Sequence, residues 1–439
     1  MKVLHLSTFD IDGGAARAAY RVHQGLRHIG VNSQMLVRGK SSPDPTVMAP
    51  KTFLEKGVAR LRADLNSRPL KPYRHSNPAV ASGKFSLQWF PDGLAPKVAH
   101  INPDVINLHW VSDGYLQIET IAKFNKPIVW TLMDMWAFTG GCHYSDTCDR
   151  YMQSCGACPS LRSTKEHDLS RKVWTRKVNA WKDVNLTLVS PTHWLADCAR
   201  SSSLLKNHQI EVIPFCLDTQ AFKPIDKKAA REILNFPQDK LLVLFGAIEA
   251  TKDRRKGFHL LQPALQKLGQ TEWREKIELV VFGASAPETP IDLGFKAHYL
   301  GRLKDDISLA VVYSAADVMV VPSIQEAFGQ TGSEAIACAT PVVAFDDTGL
   351  KDIVEHQQNG YLAKPFEVDD LARGIAWVLE DSDRHQKLAR RAREKAEQEF
   401  YLDLQAYRYR TLFEKLLGQE PQPLTVEVSP SLPSPVSPR

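Results

Sequence analysis

Long apolar runs are missing from this chain of 439 residues, and no signal-peptide hydrophobic region follows its start, MKVLHLSTFD. Because a membrane span needs about 20 consecutive apolar residues, we expect no spanning helix and a cytoplasmic location. Internal repeats of about 20 to 50 residues, which mark solenoids and propellers, are not visible either. With 43% hydrophobic and 24% charged residues, the composition is that of a soluble globular protein.

Cysteine and net charge are also low. Seven cysteines, an odd number in a large chain, argue against a disulfide framework. A net charge of +5 is only mildly basic. It permits contact with anionic lipid, and we expect no nucleic-acid partner.

The sequence has instead a series of short apolar runs with amphipathic segments between them. The runs are VLHLS, QMLVR, VINLHW, PIVWTL, LTLVS and EVIP, followed by LLVLFG, IELVVFG, VMVVPS and PVVAF. Alternating strands and helices, with strands apolar on both faces, predict parallel sheets covered by helices. The length predicts two domains, each with its own core. Ligands in such folds bind at the carboxyl ends of the strands.

The series breaks at PFCLDTQAFKP, where a strand is followed by a polar connection that contains proline. Such a change is typical of a linker, which we place at residues 215–225. We predict a first domain at 1–218, a second at 219–395, a C-terminal helix at 396–417 that returns to the first domain, and a tail at 418–439. The tail is rich in proline and serine and is expected to be disordered.

The stretch SIQEAFGQTGSEAIACA places two carboxylates, Glu326 and Glu334, where a strand turns into a helix. The first amides of a helix have no partners within it and attract anions. The N–H groups of Gln330 and Thr331, beside the flexible Gly329, therefore predict a phosphate site. Carboxylates next to a phosphate suit the hydroxyls of an attached sugar or ribose. The pattern predicts a sugar-nucleotide site, and acids that only complement the helix dipole are an equally good interpretation.

Two further turns could contribute to such a site. STFDIDGGAARAA opens a helix with Gly13 and Gly14 and puts Arg17 one turn inside. That arrangement lets amides approach an anion or a sugar, although simple packing is the commoner reason for such a turn. FGAIEATKDRRKGFHLL places the cations of 254–256 between a strand and a helix. Cations there can neutralise a diphosphate leaving group, and an exposed basic loop is the alternative.

Together these stretches resemble the retaining glycosyltransferases of family 4, two-domain enzymes with the GT-B architecture. The resemblance covers residues 1 to about 417. It rests on the Gly13-Gly14 loop, RKGF at 255–258, the Glu-x7-Glu pair Glu326 and Glu334, and TPVVAFDDTGLKDIVEHQQNGYL. INLHW and WTLMDMWAFTGGCHYSDTC are similar to the branch that assembles exopolysaccharide of the colanic-acid type. The resemblance implies two Rossmann-like, doubly wound α/β domains that face each other across a cleft.

The resemblance also implies roles for individual residues. Lys256 and Arg255 bind the donor diphosphate, Glu326 holds hydroxyls of the transferred sugar near its anomeric carbon, and Glu334 holds the ribose. The implied catalytic residues are Glu326, Lys256 and Arg255. The implied donor site comprises Gly246, Arg255, Lys256, Glu326, Phe328, Gly329, Gln330, Thr331 and Glu334. The implied acceptor side comprises Gly13, Gly14, Arg17, His109 and Asp134, and for His109 and Asp134 a structural role is an equal alternative.

The sequence departs from the family pattern at two positions. Met133 stands in TLMDMW where the family has a histidine, and a thioether cannot donate the hydrogen bond of an imidazole. Ala247 follows Gly246 where the family often has an arginine, a role that Arg254 or Arg255 could take over. Both departures bear on donor choice and activity.

The loop 140–160 contains CHYSDTCDRYMQSCGAC and thereby four of the seven cysteines. Four thiolates predict a structural zinc site that orders the loop and leaves no open coordination position. Unligated or redox-labile thiols are an equal alternative, because the Cys-x5-Cys half is irregular. The candidate ligands are Cys142, Cys148, Cys155 and Cys158, and His143 could replace one of them.

The stretch TFLEKGVARLRADLNSRPLKPYRH, at residues 52–75, is amphipathic, with one apolar stripe of Leu54, Val58, Leu61 and Leu65. A basic amphipathic helix can lie on an anionic bilayer, where a lipid-linked acceptor is found. An ordinary helix that packs its stripe on the sheet is the favoured interpretation.

The sequence therefore predicts a retaining, metal-independent hexosyltransferase that acts in cell-surface or exopolysaccharide biosynthesis. It would move a sugar from a nucleotide-sugar donor to a glycan or lipid-linked acceptor without a cofactor, in the cytoplasm or in peripheral contact with the inner face of an anionic membrane. A sugar-nucleotide epimerase of similar architecture is one alternative, although no dedicated acid-base pair is visible for it. A non-catalytic glycan- or partner-binding module is another, favoured by Met133 and the cysteine loop.

Overall fold

Two parallel β-sheets, one in each half of the chain, organise the protein. The structure is a computed structural model that describes residues 1–74, 85–246, 253–287, 291–421 and 423. The first sheet has seven strands in the order β3-β2-β1-β4-β5-β6-β7, and the second has six in the order β10-β9-β8-β11-β12-β13. Neighbouring strands are parallel in both sheets. The predicted pair of doubly wound parallel sheets is confirmed.

The ten apolar runs of the sequence all form strands. Three strands, β3, β10 and β13, were not predicted. Two or three residues in β3 and β10 are too few to show a pattern, and the four residues of β13 include Gly360, which is uncommon in strands. The first sheet comprises β1 (Lys2–Phe9), β2 (Asn32–Gly39), β3 (Val47–Met48), β4 (Val105–Leu108), β5 (Ile128–Thr131), β6 (Leu186–Ser190) and β7 (Ile210–Val212). The second comprises β8 (Leu241–Gly246), β9 (Ile277–Phe282), β10 (Ala297–Tyr299), β11 (Val318–Val321), β12 (Val342–Phe345) and β13 (Gly360–Ala363).

Helices connect the strands and cover both sheets. The α-helices are α1 (Gly14–His28), α2 (Phe53–Ser67), α3 (Lys71–Arg74), α4 (Leu94–Ile101), α5 (Leu169–Trp181), α6 (His193–Ser201), α7 (Lys227–Ile233), α8 (Phe258–Leu268), α9 (Asp306–Ala315), α10 (Gln330–Ala337), α11 (Val368–Leu379), α12 (Ser382–Glu399) and α13 (Leu402–Leu416). Short 3-10 helices span Arg68–Leu70, Ile118–Lys123, Trp136–Phe138, Arg150–Met152, Pro159–Leu161, Arg254–Lys256, Glu272–Glu275 and Thr348–Asp352.

The last helix, α13, packs against α1 of the first sheet. A Cβ added at Gly25 would lie 3.0 Å from the Cβ of Ala406, so the two helices approach each other closely. Tyr409 of α13 is fully buried in the same core cluster as apolar residues of β1 and α1. The chain crosses between the halves twice, and the crossings meet where the Leu217 N–H donates to the Phe400 carbonyl at 2.8 Å. The exact domain boundaries stay a prediction.

Two features of the sequence fall outside the described residues. They are Ala247 and the end of the predicted tail from residue 424 onward. Among the described residues, no helix combines the length and apolar character that a bilayer span needs.

Candidate functional site

A cavity of about 800 Å³ lies between the two sheets. Its walls come from segments that follow β1, β4 and β5 of the first sheet and β9 and β11 of the second, which are carboxyl ends of parallel strands. The predicted site residues that line it are Gly13, Gly14, Arg17, Asp134, Arg255, Lys256, Glu326, Phe328, Gly329, Gln330, Thr331 and Glu334. The structure thus brings these residues together, and their roles stay predictions.

One wall of the cavity is the N-terminus of α10. Gly329 precedes the helix with a φ of 98°, and a Cβ at this position would lie 2.6 Å from Leu350 Cδ2, so glycine is required. Because the helix begins at Gln330, its first N–H groups have no carbonyl partner in a preceding turn. Gln330 and Thr331 line the cavity, so the positive end of the helix dipole is available to an anion there.

A second wall is the basic turn Arg254–Lys256. The Asp253 carboxylate accepts a hydrogen bond from the Arg255 N–H at 3.0 Å, which fixes the start of the turn. The Arg255 side chain donates to the Gln325 carbonyl at 2.8 Å, and its Cζ lies 4.3 Å from the centroid of the Tyr144 ring. The Arg255 guanidinium is therefore held between the two halves of the chain.

Glu326 lies beside both predicted diphosphate cations. Its carboxylate forms an ion pair with the Lys256 ammonium, its Oε1 lies 3.5 Å from Arg255 Nη1, and the Ser323 hydroxyl donates to it at 3.0 Å. Burial by itself raises the pKa of Glu326, but Lys256 and Arg255 outweigh burial and hold that pKa below its ordinary value. The carboxylate is therefore ionised and can only accept hydrogen bonds.

Glu334, the predicted ribose ligand, is held by an arginine from the other half of the chain. Arg21 donates to Oε1 at 2.9 Å, and the Tyr313 hydroxyl donates to Oε2 at 3.0 Å. Burial lowers the pKa of Arg21, but Glu334 and Asp306 outweigh it and raise that pKa above its ordinary value. The sequence analysis missed Arg21, although its position one helical turn after Arg17 was a signal that both face the same way.

The glycine loop meets the start of α10 across the cavity. The Gln330 side-chain amide donates to the Gly14 carbonyl at 2.7 Å, and Arg17 donates to Asp306 at 2.9 Å. Gly14 and Arg17 thus contact side chains of the second half, in addition to lining the cavity.

Asp134 faces the cavity from the first sheet. Its Oδ2 lies 2.6 Å from His143 Nδ1 and accepts from Trp110 Nε1 at 3.0 Å. Trp110 and Tyr144 also line the cavity, and the sequence analysis missed both because no periodicity or charge marks them. Met133, the departure from the family pattern, lines the cavity as well.

Two predicted site residues are not among those that line the cavity. Gly246 ends β8. His109 is 1% exposed, and its Nε2 lies 2.8 Å from His5 Nδ1. Burial lowers the pKa of His109 to about 3, so the ring is neutral. The buried surroundings of His109 fit the structural role that the sequence analysis gave as the alternative to an acceptor-side role.

The cysteine-rich loop forms part of the cavity wall through Tyr144 and is tied to the second half. The Gln325 side chain accepts from the Asp146 N–H at 3.0 Å and donates to the Asp146 carbonyl at 3.1 Å. Burial raises the pKa of Cys155 to about 12 and that of Cys158 to about 11, so these thiols are neutral.

The structure does not supply a metal site in this loop. All seven cysteines are free, and both ring nitrogens of His143 have polar partners, Asp134 and Ser86. Within the described ranges, no group of three or more His, Cys, Asp or Glu side chains is placed to hold a metal ion. The zinc hypothesis stays a prediction.

Comparison with known proteins bears most directly on the second half of the chain. Residues 226–395 match the sequence model of the family described as "Glycosyl transferases group 1". D-inositol 3-phosphate glycosyltransferase 2 of Catenulispora acidiphila is 36% identical over 177 residues, which are 37% of this chain and 41% of that protein. The chain thus spans less than half the length of the curated relatives that it matches.

Solved structures resemble the whole chain. Sucrose-phosphate synthase from Thermosynechococcus elongatus has a TM-score of 0.66 at 20% identity, covering 95% of this chain and 100% of that chain. Anabaena Alr3699/HepE in complex with UDP and glucose has a TM-score of 0.63 at 18% identity, covering 94% of this chain and 100% of that chain. Likeness at this level of identity establishes the fold, and the predicted GT-B architecture of two Rossmann-like domains across a cleft is confirmed.

Proposed function

We propose that the protein is a retaining glycosyltransferase that moves a sugar from a nucleotide-sugar donor to a glycan or lipid-linked acceptor. One observation carries the proposal: a helix N-terminus and two carboxylates from one stretch and two cations from another line a single cavity. Amides and cations suit a diphosphate, and carboxylates suit the hydroxyls of a sugar and a ribose. The match of residues 226–395 to group 1 glycosyl transferases supports the same function.

In the proposed reaction the bond between the anomeric carbon and a diphosphate oxygen breaks, and the acceptor oxygen bonds to that carbon. The acceptor attacks on the face from which the diphosphate leaves, and its proton passes to the leaving phosphate. Lys256, Arg255 and the amides at the start of α10 stabilise the charge that develops on the diphosphate. In other enzymes a metal ion takes this role, and the proposal includes neither a catalytic metal nor a cofactor.

The contact between Lys256 and Glu326 suggests how the donor would engage the site. A diphosphate beside Lys256 offers this ammonium a second anion, which weakens its hold on Glu326. The released carboxylate oxygen can then accept a hydrogen bond from a hydroxyl of the transferred sugar.

The finer parts of the proposal are a hexose donor, a family 4 enzyme of the exopolysaccharide branch, and a cytoplasmic location with peripheral membrane contact. UDP-glucose is the first donor to test, because the Anabaena neighbour was solved with UDP and glucose. Inositol 3-phosphate belongs among the acceptors, because a relative that matches 37% of the chain is a D-inositol 3-phosphate glycosyltransferase.

Incubation of the purified protein with a panel of nucleotide sugars and acceptors tests the function. Nucleotide release that depends on an acceptor supports transfer, and NMR of the product gives its anomeric configuration. Donor binding without turnover would instead indicate a binding module. Conversion of the donor sugar without any acceptor would indicate an epimerase.

Glu326→Ala tests the assignment of the sugar-binding carboxylate. We expect it to lower turnover at least about a hundredfold, the usual effect of removing one transition-state contact. Glu275→Ala, at an exposed position, is the matched control and should keep full turnover. Normal turnover of a folded Glu326→Ala variant would show that this carboxylate does not act in the reaction.

A further inference from the structure

The helix α2 turns its apolar stripe away from the rest of the protein. Three residues of the predicted stripe, Leu54, Val58 and Leu61, have exposed fractions of 79%, 48% and 54%, and Phe53 beside them is 88% exposed. Leu65, the last residue of that stripe, is half-buried. An ordinary amphipathic helix buries such a stripe against its sheet, and that interpretation, which the sequence favoured, is wrong here. Large apolar groups grouped on one exposed face are typical of an interaction surface.

The opposite face of α2 is the one that contacts the protein. At about 100° per residue, Ala63 and Asn66 fall on the side of the helix away from the stripe. A Cβ at Gly114 would lie 2.9 Å from Ala63 Cα, so the helix backbone closely approaches the loop after β4. Asn66 donates to the Gln88 side chain at 3.0 Å and accepts from the Trp89 N–H at 3.0 Å. These contacts keep α2 from rolling its stripe inward.

Basic residues lie on both sides of the exposed stripe. At about 100° per residue, Arg60 falls along one edge of the stripe and Arg62 along the other. The segment 51–71 contains six basic and two acidic residues, and one of the acids, Glu55, caps the start of the helix. An apolar stripe between cations is typical of helices that lie in the headgroup region of anionic bilayers.

We propose that this face of α2 is a peripheral docking surface for a bilayer rich in anionic lipid. The stripe, about 12 Å long at about 1.5 Å per residue, enters the headgroup region with the helix parallel to the membrane, and the flanking cations contact lipid phosphates. Trp89 is 39% exposed and donates through Nε1 to the Asn66 carbonyl at 3.1 Å. Its ring lies at the C-terminal end of α2, beside Asn66 of the face that contacts the protein.

The contact at Gly114 also determines where the bilayer would lie relative to the cavity. Gly114 belongs to the same loop after β4 as Trp110, which lines the cavity. Docking through α2 would therefore bring the first-sheet wall of the cavity close to the membrane. A lipid-linked acceptor would enter from that side, and this step alone rests on the proposed function.

Flotation of the full-length protein with lipid vesicles tests the docking surface. We expect binding to vesicles of phosphatidylglycerol and phosphatidylcholine, much weaker binding to phosphatidylcholine alone, and release as salt screens the charges. Leu54→Glu should lower binding about tenfold or more, because a charge replaces buried apolar area. Ile233→Glu makes the same change at a residue that is 69% exposed in the second half, and it should leave binding unchanged.

A charge variant and the oligomeric state complete the test. Arg60→Gln with Arg62→Gln should weaken binding to anionic vesicles while leaving binding to neutral ones unchanged. Absence of binding to any vesicle, or equal losses in the Leu54 and Ile233 variants, would overturn the proposal. So would a dimer that Leu54→Glu dissociates in a protein that binds no vesicles, since the face would then belong to a second copy. Because vesicle binding needs no substrate, its failure is distinguishable from failure of the proposed transferase activity.

Discussion

Replacing Arg21 by methionine leaves Glu334 without its ion-pair partner at a position where the glutamate is only 5% exposed. The variant keeps an apolar stem but removes the guanidinium that donates to Glu334 at 2.9 Å and to Asp306 at 3.4 Å. Removal of one partner of a buried ion pair costs about 3 to 5 kcal/mol of stability. Tyr313 still donates to Glu334 at 3.0 Å. We therefore expect a loss of stability at the lower end of this range, about 3 kcal/mol.

Urea unfolding measures this loss, with Arg27→Met as the matched control. Arg27 lies on the same helix, but its side chain is 44% exposed in its pair with Asp44, so its removal should cost about 0 to 1 kcal/mol. The double variant Arg21→Met with Glu334→Gln should regain much of the stability, because no unpaired buried carboxylate remains. Equal losses in the two single variants, or no recovery in the double variant, would refute the reasoning.

Gly329→Ala is expected to lower stability by about 1 to 3 kcal/mol, since alanine would have to adopt a φ of 98° with its Cβ 2.6 Å from Leu350. Gly57→Ala, in open space on α2, should instead raise the unfolding midpoint, and equal shifts in thermal unfolding would contradict the assigned geometry. Acidification from about pH 7.5 to about pH 5 should lower the free energy of unfolding, because burial lowers the pKa of His109 to about 3 and that of His23 to about 4. Below about pH 6.5 these two histidines take up protons in the unfolded chain but not in the folded chain. Each histidine therefore makes its full contribution to the free energy of unfolding above that pH. The contribution falls by up to about 1.4 kcal/mol per pH unit below it. Urea unfolding that is independent of pH over this range would contradict the burial of these two rings.

The charged groups of the cavity neutralise one another before any donor binds. Lys256 contacts Glu326, and Arg21 holds Glu334. A nucleotide sugar must therefore compete with partners that are already in place. For Lys256 this cost is offset, because the donor diphosphate is an anion like the glutamate it replaces, whereas Glu326 exchanges its cation for a neutral hydroxyl.

Much of the site could be predicted because its residues belong to local motifs. The turn Arg254–Lys256 and the start of α10 are each contained in a few consecutive residues, and a glycine before a helix of good helix formers is visible in the sequence itself. The pair Arg21 and Glu334, separated by 313 residues, could not be predicted in this way. Neither could Tyr144, whose loop is held by contacts with distant residues of both halves, among them Ser86 and Gln325.

Helix α2 shows most clearly where prediction from the sequence ends. The sequence by itself determined an amphipathic helix with cations beside an apolar stripe, because periodicity and charge spacing are properties of consecutive residues. Only the tertiary structure decided which face is covered. The close approach of Ala63 to Gly114 and the hydrogen bonds of Asn66 depend on residues distant in the chain, and they turn the small face inward and leave the apolar stripe exposed.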